Sequence, residues 1–395
     1  MRILGITDQP IDPPLSGGGE RVRFLYERLA RRHDVEVVAL VGLRQGHGVR
    51  RVAPRLVIRK VRAPQRTLAY RLERARVAPA FAAHAFHAAL APLYARLLRR
   101  PGWDVVQADG VALGPLLALA RGRAPTVYSA HNVETEYHAA ALDAFALRRP
   151  LAGWLARIER RMVRLADLVV TVSERDRDLL AALTGAPAEA FACVPNGYDE
   201  ERFRPLGGAD RLALRNAMGF TPGEWLILFS GSRVPHNEAA VAALLRSVVP
   251  SLRPPARLLV VGQVGAAIPY VGDARVVVTG AVPDVVPYFQ AADVAVNPVE
   301  SGGGTNIKVL QALAAGLPVV STRFGMRGLE ALAPFVRVAS IGEMARAASP
   351  PAARPGPGLA DAIAPFSWGA LALRLEEAYA RLLARGAGAR AEGVA

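Results

Sequence analysis

The sequence predicts an α/β protein of two Rossmann-like domains facing across a cleft. Three observations carry this reading. The chain has 395 residues, more than one ordinary core accommodates and suited to two domains of roughly 150–200 residues. Short apolar runs alternate with amphipathic helical stretches throughout, the pattern of strands and helices around parallel sheets. The alternation breaks once, in the turn chemistry of Val194-Pro195-Asn196-Gly197-Tyr198-Asp199, and then restarts. The expected division is residues 1–197, residues 198–365 and a C-terminal helix, 366–395.

The elements follow in order. Ile3–Thr7 is a short buried strand that ends in the Pro- and Gly-rich loop Gln9–Gly19. A helix begins near Glu20, with Val22, Leu25, Tyr26 and Leu29 at helical spacing. Val35–Val41, Val105–Gln107, Thr126–Tyr128 and Leu168–Val172 read as further strands of the first sheet. Between them Leu68–Leu98 is Ala- and Arg-rich and helical, interrupted by Pro79 and Pro92. In the second half Trp225–Ser230, Leu258–Val261, Val276–Thr279, Val294–Asn297 and Pro318–Ser321 are strands. Ala348–Gly358 is a surface loop. Ser367 then caps a helix over Trp368–Leu383, with Leu371, Leu375, Ala378 and Leu382 on one face.

Composition narrows the function classes. Slightly more than half of the residues are apolar and about a fifth are charged, as in globular rather than disordered chains. The single cysteine, Cys193, rules out an intramolecular disulfide and a Cys-rich zinc site; it is expected to be a small buried apolar residue. No run of about 20 apolar residues suggests a membrane span, and a cytoplasmic protein is expected. The net charge is +15. From Arg44 to Arg100 fourteen Lys or Arg stand against one acidic residue, Glu73. Such a segment suits an anionic membrane surface or phosphorylated acceptor, and Arg-rich codon usage is the plainer explanation. With little aromatic interleaving and no recognised motif, nucleic acid is not an expected partner.

The most informative stretch is Asn297-Pro298-Val299-Glu300-Ser301-Gly302-Gly303-Gly304-Thr305-Asn306-Ile307-Lys308-Val309-Leu310-Gln311. It follows a strand and runs into a helix. Three glycines let the backbone approach a ligand closely, and the first amides of the helix form an anion site. Lys308, expected one turn inside the helix, adds positive charge, and Gln311 shares its face. A glycine-rich turn needed only for packing has the same three letters. The Walker Gly-Lys-Ser/Thr and the dinucleotide Gly-x-Gly-x-x-Gly spacing are both missing.

At these residues the chain resembles the retaining glycosyltransferases of the GT-B fold, family 4 with its group 1 transferase domain. Gly302–Val320 carries the likeness, with Thr279-Gly280-Ala281-Val282-Pro283-Asp284 and Tyr288–Val294 before it. The resemblance implies a nucleotide diphosphate-sugar as donor and an acceptor hydroxyl, with retention and without a metal. No Asp-x-Asp cluster is seen that would hold one, and no cofactor is expected. Gly303, Gly304 and Thr305 would meet the donor diphosphate, with Lys308 as cation. Arg233, in Ser230-Gly231-Ser232-Arg233-Val234-Pro235-His236-Asn237, would be a second phosphate partner. Gly231 and the backbone of Val282 would lie near the nucleotide. His236 and Asn237 are expected to shape the helix start. Glu300 matches loosely the first acidic position of the family's Glu-x7-Glu motif. Gln311 falls on the second, where a glutamate usually bonds the ribose; glutamine still bonds hydroxyls, without the charge.

In the first half, Ser16-Gly17-Gly18-Gly19-Glu20-Arg21 repeats the order of strand, glycine loop and helix. By resemblance Gly18 and Gly19 approach the donor phosphates and the acceptor. His131, in Ser129-Ala130-His131-Asn132, matches the family's His-Asn segment and is the catalytic candidate beside Glu300. Ser173 reads as a helix cap; the resemblance implies a hinge at Asn196-Gly197 and a last helix packed on the N-terminal domain. A nucleotide-sugar epimerase and a non-catalytic sugar-nucleotide-binding protein are the competing readings.

Overall fold

The computed structural model describes residues 1–14, 16–74, 88–100, 102–142, 148–268, 272–350, 352 and 355–392. Pro79, His84 and His87 lie outside the described residues. The chain divides into two compact units, Met1–Pro195 with Leu371–Ala395, and Asn196–Ala370.

The first unit is built on eight strands: β1 (Arg2–Thr7), β2 (Asp34–Val41), β3 (Gly48–Ala53), β4 (Leu56–Arg62), β5 (Val105–Asp109), β6 (Thr126–Ser129), β7 (Leu168–Thr171) and β8 (Phe191–Cys193). Their order is β3-β4-β2-β1-β5-β6-β7-β8. All neighbours are parallel except β3 and β4, an antiparallel edge pair. This hairpin lies inside the basic segment, where only helix was expected from Leu68 on. Leu56 and Ile58 are buried, and Arg59 and Lys60 point to carboxylates. The counter-charges come from outside the segment: Arg50 and Lys60 pair with Asp12, and Arg59 and Arg100 with Glu36. Pro92 opens a helix, Ala91–Leu98, rather than breaking one.

The second unit holds β9 (Trp225–Ser230), β10 (Ala256–Val261), β11 (Val276–Gly280), β12 (Val294–Asn297), β13 (Val319–Ser321) and β14 (Val336–Val338). They form one parallel sheet in the order β11-β10-β9-β12-β13-β14. This is the doubly wound arrangement, in which strand order reverses between the first and fourth strands and ligands bind beyond their carboxyl ends. Here the reversal falls between β9 and β12. These strands pair only at Ile227 with Val294 and Leu228 with Ala295, so their last residues diverge.

The final helix, Trp368–Glu392, runs past the expected end at Leu383. The Oγ of Ser367 accepts from the Ala370 amide at 3.2 Å, the expected cap. Leu371, Leu375, Ala378 and Leu382 are all buried, and Tyr379 donates to Gln107 within the first unit. Among the described residues no helix is long and apolar enough to cross a membrane.

Candidate functional site

The second unit concentrates its chemistry where β9 and β12 part. A narrow recess lies there, lined by Leu228, Ser230, Asn297, Phe289, Lys308 and Val309. Lys308 stands at the second position of the helix Ile307–Ala314, in its first turn rather than one turn inside it. A cation there opposes the helix dipole. Its Nζ donates to Asn237 Oδ1 at 2.7 Å and lies 4.3 Å from the centre of the Phe229 ring. No carboxylate among the described residues pairs with it. Burial alone pushes its ammonium down to about 7. Only two of the 49 basic residues are lysines, Lys60 and this one.

The loop before that helix is held open by glycine geometry. Gly302 and Gly304 adopt φ of 114° and 61°, where a side chain is strained. A Cβ on Gly302 would also stand 3.0 Å from His236 Nδ1. Arg327 fixes the loop from below, its Nη2 donating to Gly302 O at 2.9 Å and Gly304 O at 3.1 Å. These two bonds tie the loop to the turn that carries Arg327. Thr305 is 8% exposed, and its Oγ1 is buried with no hydrogen-bond partner. Such a hydroxyl costs free energy until something bonds it.

The other expected residues are placed less uniformly. Gly231 touches the centre directly: a Cβ on it would be 3.0 Å from Asn237 Cγ. Gln311 is buried on the Lys308 helix. Val282 packs against the apolar cluster around Leu228 and Leu310. Arg233 is turned to the exposed rim, where its Nε pairs with Glu238 at 3.2 Å. Glu300 is exposed. Asn196 Nδ2 stands 3.5 Å from Thr305 O.

One contributor was not singled out from sequence, and two were read differently. Asn237 was expected to shape the helix start, and its Nδ2 does donate to Ser232 O at 3.0 Å. Its other amide atom holds Lys308, 71 residues away. His236 packs on Gly302 and is kept neutral, down to about 4, first by burial and then by Lys308 and Arg327. Arg327 follows a turn that carries no motif.

In the first unit, the helix Gly17–Leu29 begins at Ser16, whose Oγ accepts from Gly19 N at 3.1 Å. A Cβ on Gly18 would be 3.2 Å from His131 Nδ1, and one on Gly19 only 2.2 Å from Pro10 O. His131 therefore sits against the glycine backbone. Both its ring nitrogens are buried without a hydrogen-bond partner. Burial, followed by the nearby Arg21 charge, lowers it to about 3, so the imidazole is neutral. Arg21 is buried and donates to Pro195 O at 2.7 Å. Beneath, Asp109 accepts from Tyr26 at 2.7 Å and from Gln107 at 2.8 Å. Burial pushes its carboxyl up to about 6 against those bonds.

Ser173 caps its helix as expected, accepting from Asp176 N at 3.1 Å. Cys193 is only half-buried; burial and then Glu174 push its thiol up to about 11. One Asp-x-Asp triplet does occur, Asp176-Arg177-Asp178. It lies on a helix, which aims the two carboxylates in different directions, and Asp178 binds Arg177. Among the described residues no three His, Cys, Asp or Glu side chains are grouped to hold a metal ion.

Comparison with known proteins gives this geometry a context. Residues 15–202 match the family described as Glycosyltransferase Family 4, and residues 224–347 match Glycosyl transferases group 1. A D-inositol 3-phosphate glycosyltransferase of Nocardia farcinica is 31% identical over 185 residues, 45% of this chain and 39% of that protein. The chain spans about half the length of the curated relatives it matches. Sucrose-phosphate synthase from Thermosynechococcus elongatus superposes with a TM-score of 0.73 at 18% identity, covering 98% of this chain and 100% of that one. HepE of Anabaena in complex with UDP gives 0.58 at 18% identity, covering 99% and 100%. The fold is thus GT-B, two parallel-sheet α/β domains.

Proposed function

This chain belongs to the family 4, group 1 glycosyltransferases, and we propose that it moves a sugar from a nucleotide diphosphate-sugar to an acceptor hydroxyl. One observation carries the donor assignment. Lys308 is a partly buried ammonium in the first turn of a helix, without a carboxylate partner among the described residues, beside a glycine loop with an unbonded Thr305 hydroxyl. A diphosphate supplies what each of these groups lacks: charge for the ammonium and the helix dipole, and acceptor oxygens for the hydroxyl and amides.

In the reaction the bond from the anomeric carbon to the β-phosphate oxygen breaks, and its electron pair leaves with the diphosphate. The acceptor oxygen bonds the anomeric carbon at the vacated position, and its proton passes to the departing diphosphate oxygen. Lys308, Thr305 and the amides of Gly303 and Gly304 stabilise the departing charge. Arg233 joins them by exchanging Glu238 for phosphate. Gln311 bonds the ribose, Gly231 and Val282 border the nucleotide, and Glu300 lies near the sugar. By the family resemblance we also assign Gly18, Gly19 and the neutral His131 of the N-terminal unit to the reaction, His131 as a hydrogen-bonding catalytic side chain. Retention at the anomeric carbon and independence of metal are part of the proposal.

The relatives named for D-inositol 3-phosphate make a phosphorylated polyol the first acceptor to try. Contact with an anionic membrane on its cytoplasmic face is a further element. It rests on Arg44, Arg62 and Arg71, near the exposed Leu43, Val49 and Leu68. Salt-sensitive sedimentation with anionic liposomes tests it.

The deciding experiment is calorimetric binding of UDP-, GDP- and ADP-sugars to wild type and Lys308→Ala, followed by product analysis with acceptors. Binding of one nucleotide sugar, lost in the variant, is expected. If none binds, the donor assignment is wrong. Release of free sugar epimer from donor alone would instead favour an epimerase.

A further inference from the structure

We infer that Asn237 is a positioning residue of the donor site, holding the Lys308 ammonium through a neutral acceptor so that its charge stays available to an anion. This rests on the donor reading above and adds to it the residue that orients the cation.

The geometry is specific about the amide. Asn237 is 4% exposed, and its Nδ2 donates to Ser232 O at 3.0 Å, which leaves Oδ1 aimed at Lys308 Nζ, 2.7 Å away. The reversed amide would set a donor against the ammonium. Gly231 permits the arrangement, since a side chain there would begin 3.0 Å from the amide carbon and nitrogen. The contact therefore ties the loop after β9 to the helix after β12, across the point where strand order reverses.

The charges around Lys308 explain why an amide rather than a carboxylate stands there. From the helix Pro235–Ala243, His236 is neutral. Arg233 and Glu238 are paired with each other on the exposed rim. From the turn after β13, Arg327 is bonded to loop carbonyls. An ammonium has three donors; Asn237 takes one and the Phe229 ring lies against the group. A carboxylate at 237 would close an ion pair and compete with phosphate, whereas the amide fixes the position of the charge without cancelling it.

The chain has two lysines, so lysine side-chain NMR of protein labelled with carbon-13 and nitrogen-15 lysine gives two signals, assigned with Lys60→Arg. Asn237→Asp changes charge with almost no change of shape. It is expected to move the Lys308 titration midpoint upward by about 1–3 pH units. It should also weaken binding of UDP-glucose, GDP-mannose or ADP-glucose, whichever binds, about tenfold or more at pH 7. The melting temperature should stay level or rise. Asn237→Ala should weaken binding without raising the midpoint. If Asn237→Asp leaves both midpoint and affinity unchanged, the positioning role is overturned. If the midpoint moves but Lys308→Ala binds nucleotide sugar like wild type, the donor reading itself falls, and the anion assigned here falls with it.

Discussion

Two glycine loops in this chain share one plan, a strand, a run of glycines and a helix N-terminus, and they end in opposite electrostatic states. The helix start in the first unit is capped by its own chain. Ser16 caps the helix, Glu20 supplies the acidic residue that a helix start favours, and the imidazole against it is neutral. The loop of the second unit has neither device. Asn306 makes no side-chain cap bond, the first turn holds no acid, and Lys308 adds charge of the same sign as the helix end. The first loop is consistent with a backbone that approaches a ligand. The second is consistent with one that requires an anion. A glycine run alone does not distinguish these roles; the groups in the first turn do.

The strongest way to break this comparison is Lys308→Met. Loss of one preorganised cationic donor should reduce nucleotide-sugar affinity and turnover by about 10²–10³-fold. In the absence of donor the same change removes a partly buried charge but leaves the buried Asn237 Oδ1 without its donor, so ligand-free stability at pH 7 should change little. The pH dependence tests the charge independently. The ammonium titrates near 7 in the folded chain against an ordinary 10.5. Between those values the unfolded chain holds a proton that the native one has released. Ligand-free stability should therefore rise from about pH 7 to pH 10.5 and be lowest below 7, while donor affinity falls over the same window. Lys308→Met should flatten both. Denaturant melts across pH, with and without nucleotide sugar, measure this; a pH-independent difference would remove Lys308 from the site.

The next effect in size separates the loops by their backbones. Gly19→Ala places a methyl 2.2 Å from Pro10 O, a backbone atom that cannot turn aside. It should cost about 2–3 kcal/mol of stability. Gly302→Ala meets the movable His236 ring at 3.0 Å and a φ of 114°, so about 1–2 kcal/mol is expected. Its larger consequence should be on donor affinity. Equal stability losses and equal affinity losses would show that the loops are not specialised as described.

How far the sequence revealed this depends on the distance over which each feature is encoded. The strands that frame the crevice, Trp225–Ser230 and Val294–Asn297, were legible with their bounds, because each is a buried apolar run ended by polar or glycine residues. Lys308 was legible from the glycines before it. The β3–β4 hairpin was not, since its arginines obscured the alternation of Val49, Leu56 and Ile58, and β8 and β14 have three residues each. The partial neutralisation of the basic segment was not legible for a related reason. Its counter-ions Asp12 and Glu36 lie outside the window over which charge was counted. Asn237 and Arg327 act on residues remote in sequence, and no local pattern marks such pairings.

The smallest expected effect tests the capped loop. Ser16→Ala removes the bond from Gly19 N and exposes a helix donor, which should cost about 1 kcal/mol. The change leaves Lys308, Thr305 and Asn237 untouched, so nucleotide-sugar affinity in calorimetry should stay within about twofold once the variant is folded. The cap is a property of the helix rather than of the ligand site. An affinity loss comparable to that of Lys308→Met would mean that the Ser16 hydroxyl is itself a ligand for the donor. The two loops would then be alike in function, and the groups in their first turns would not be what divides them.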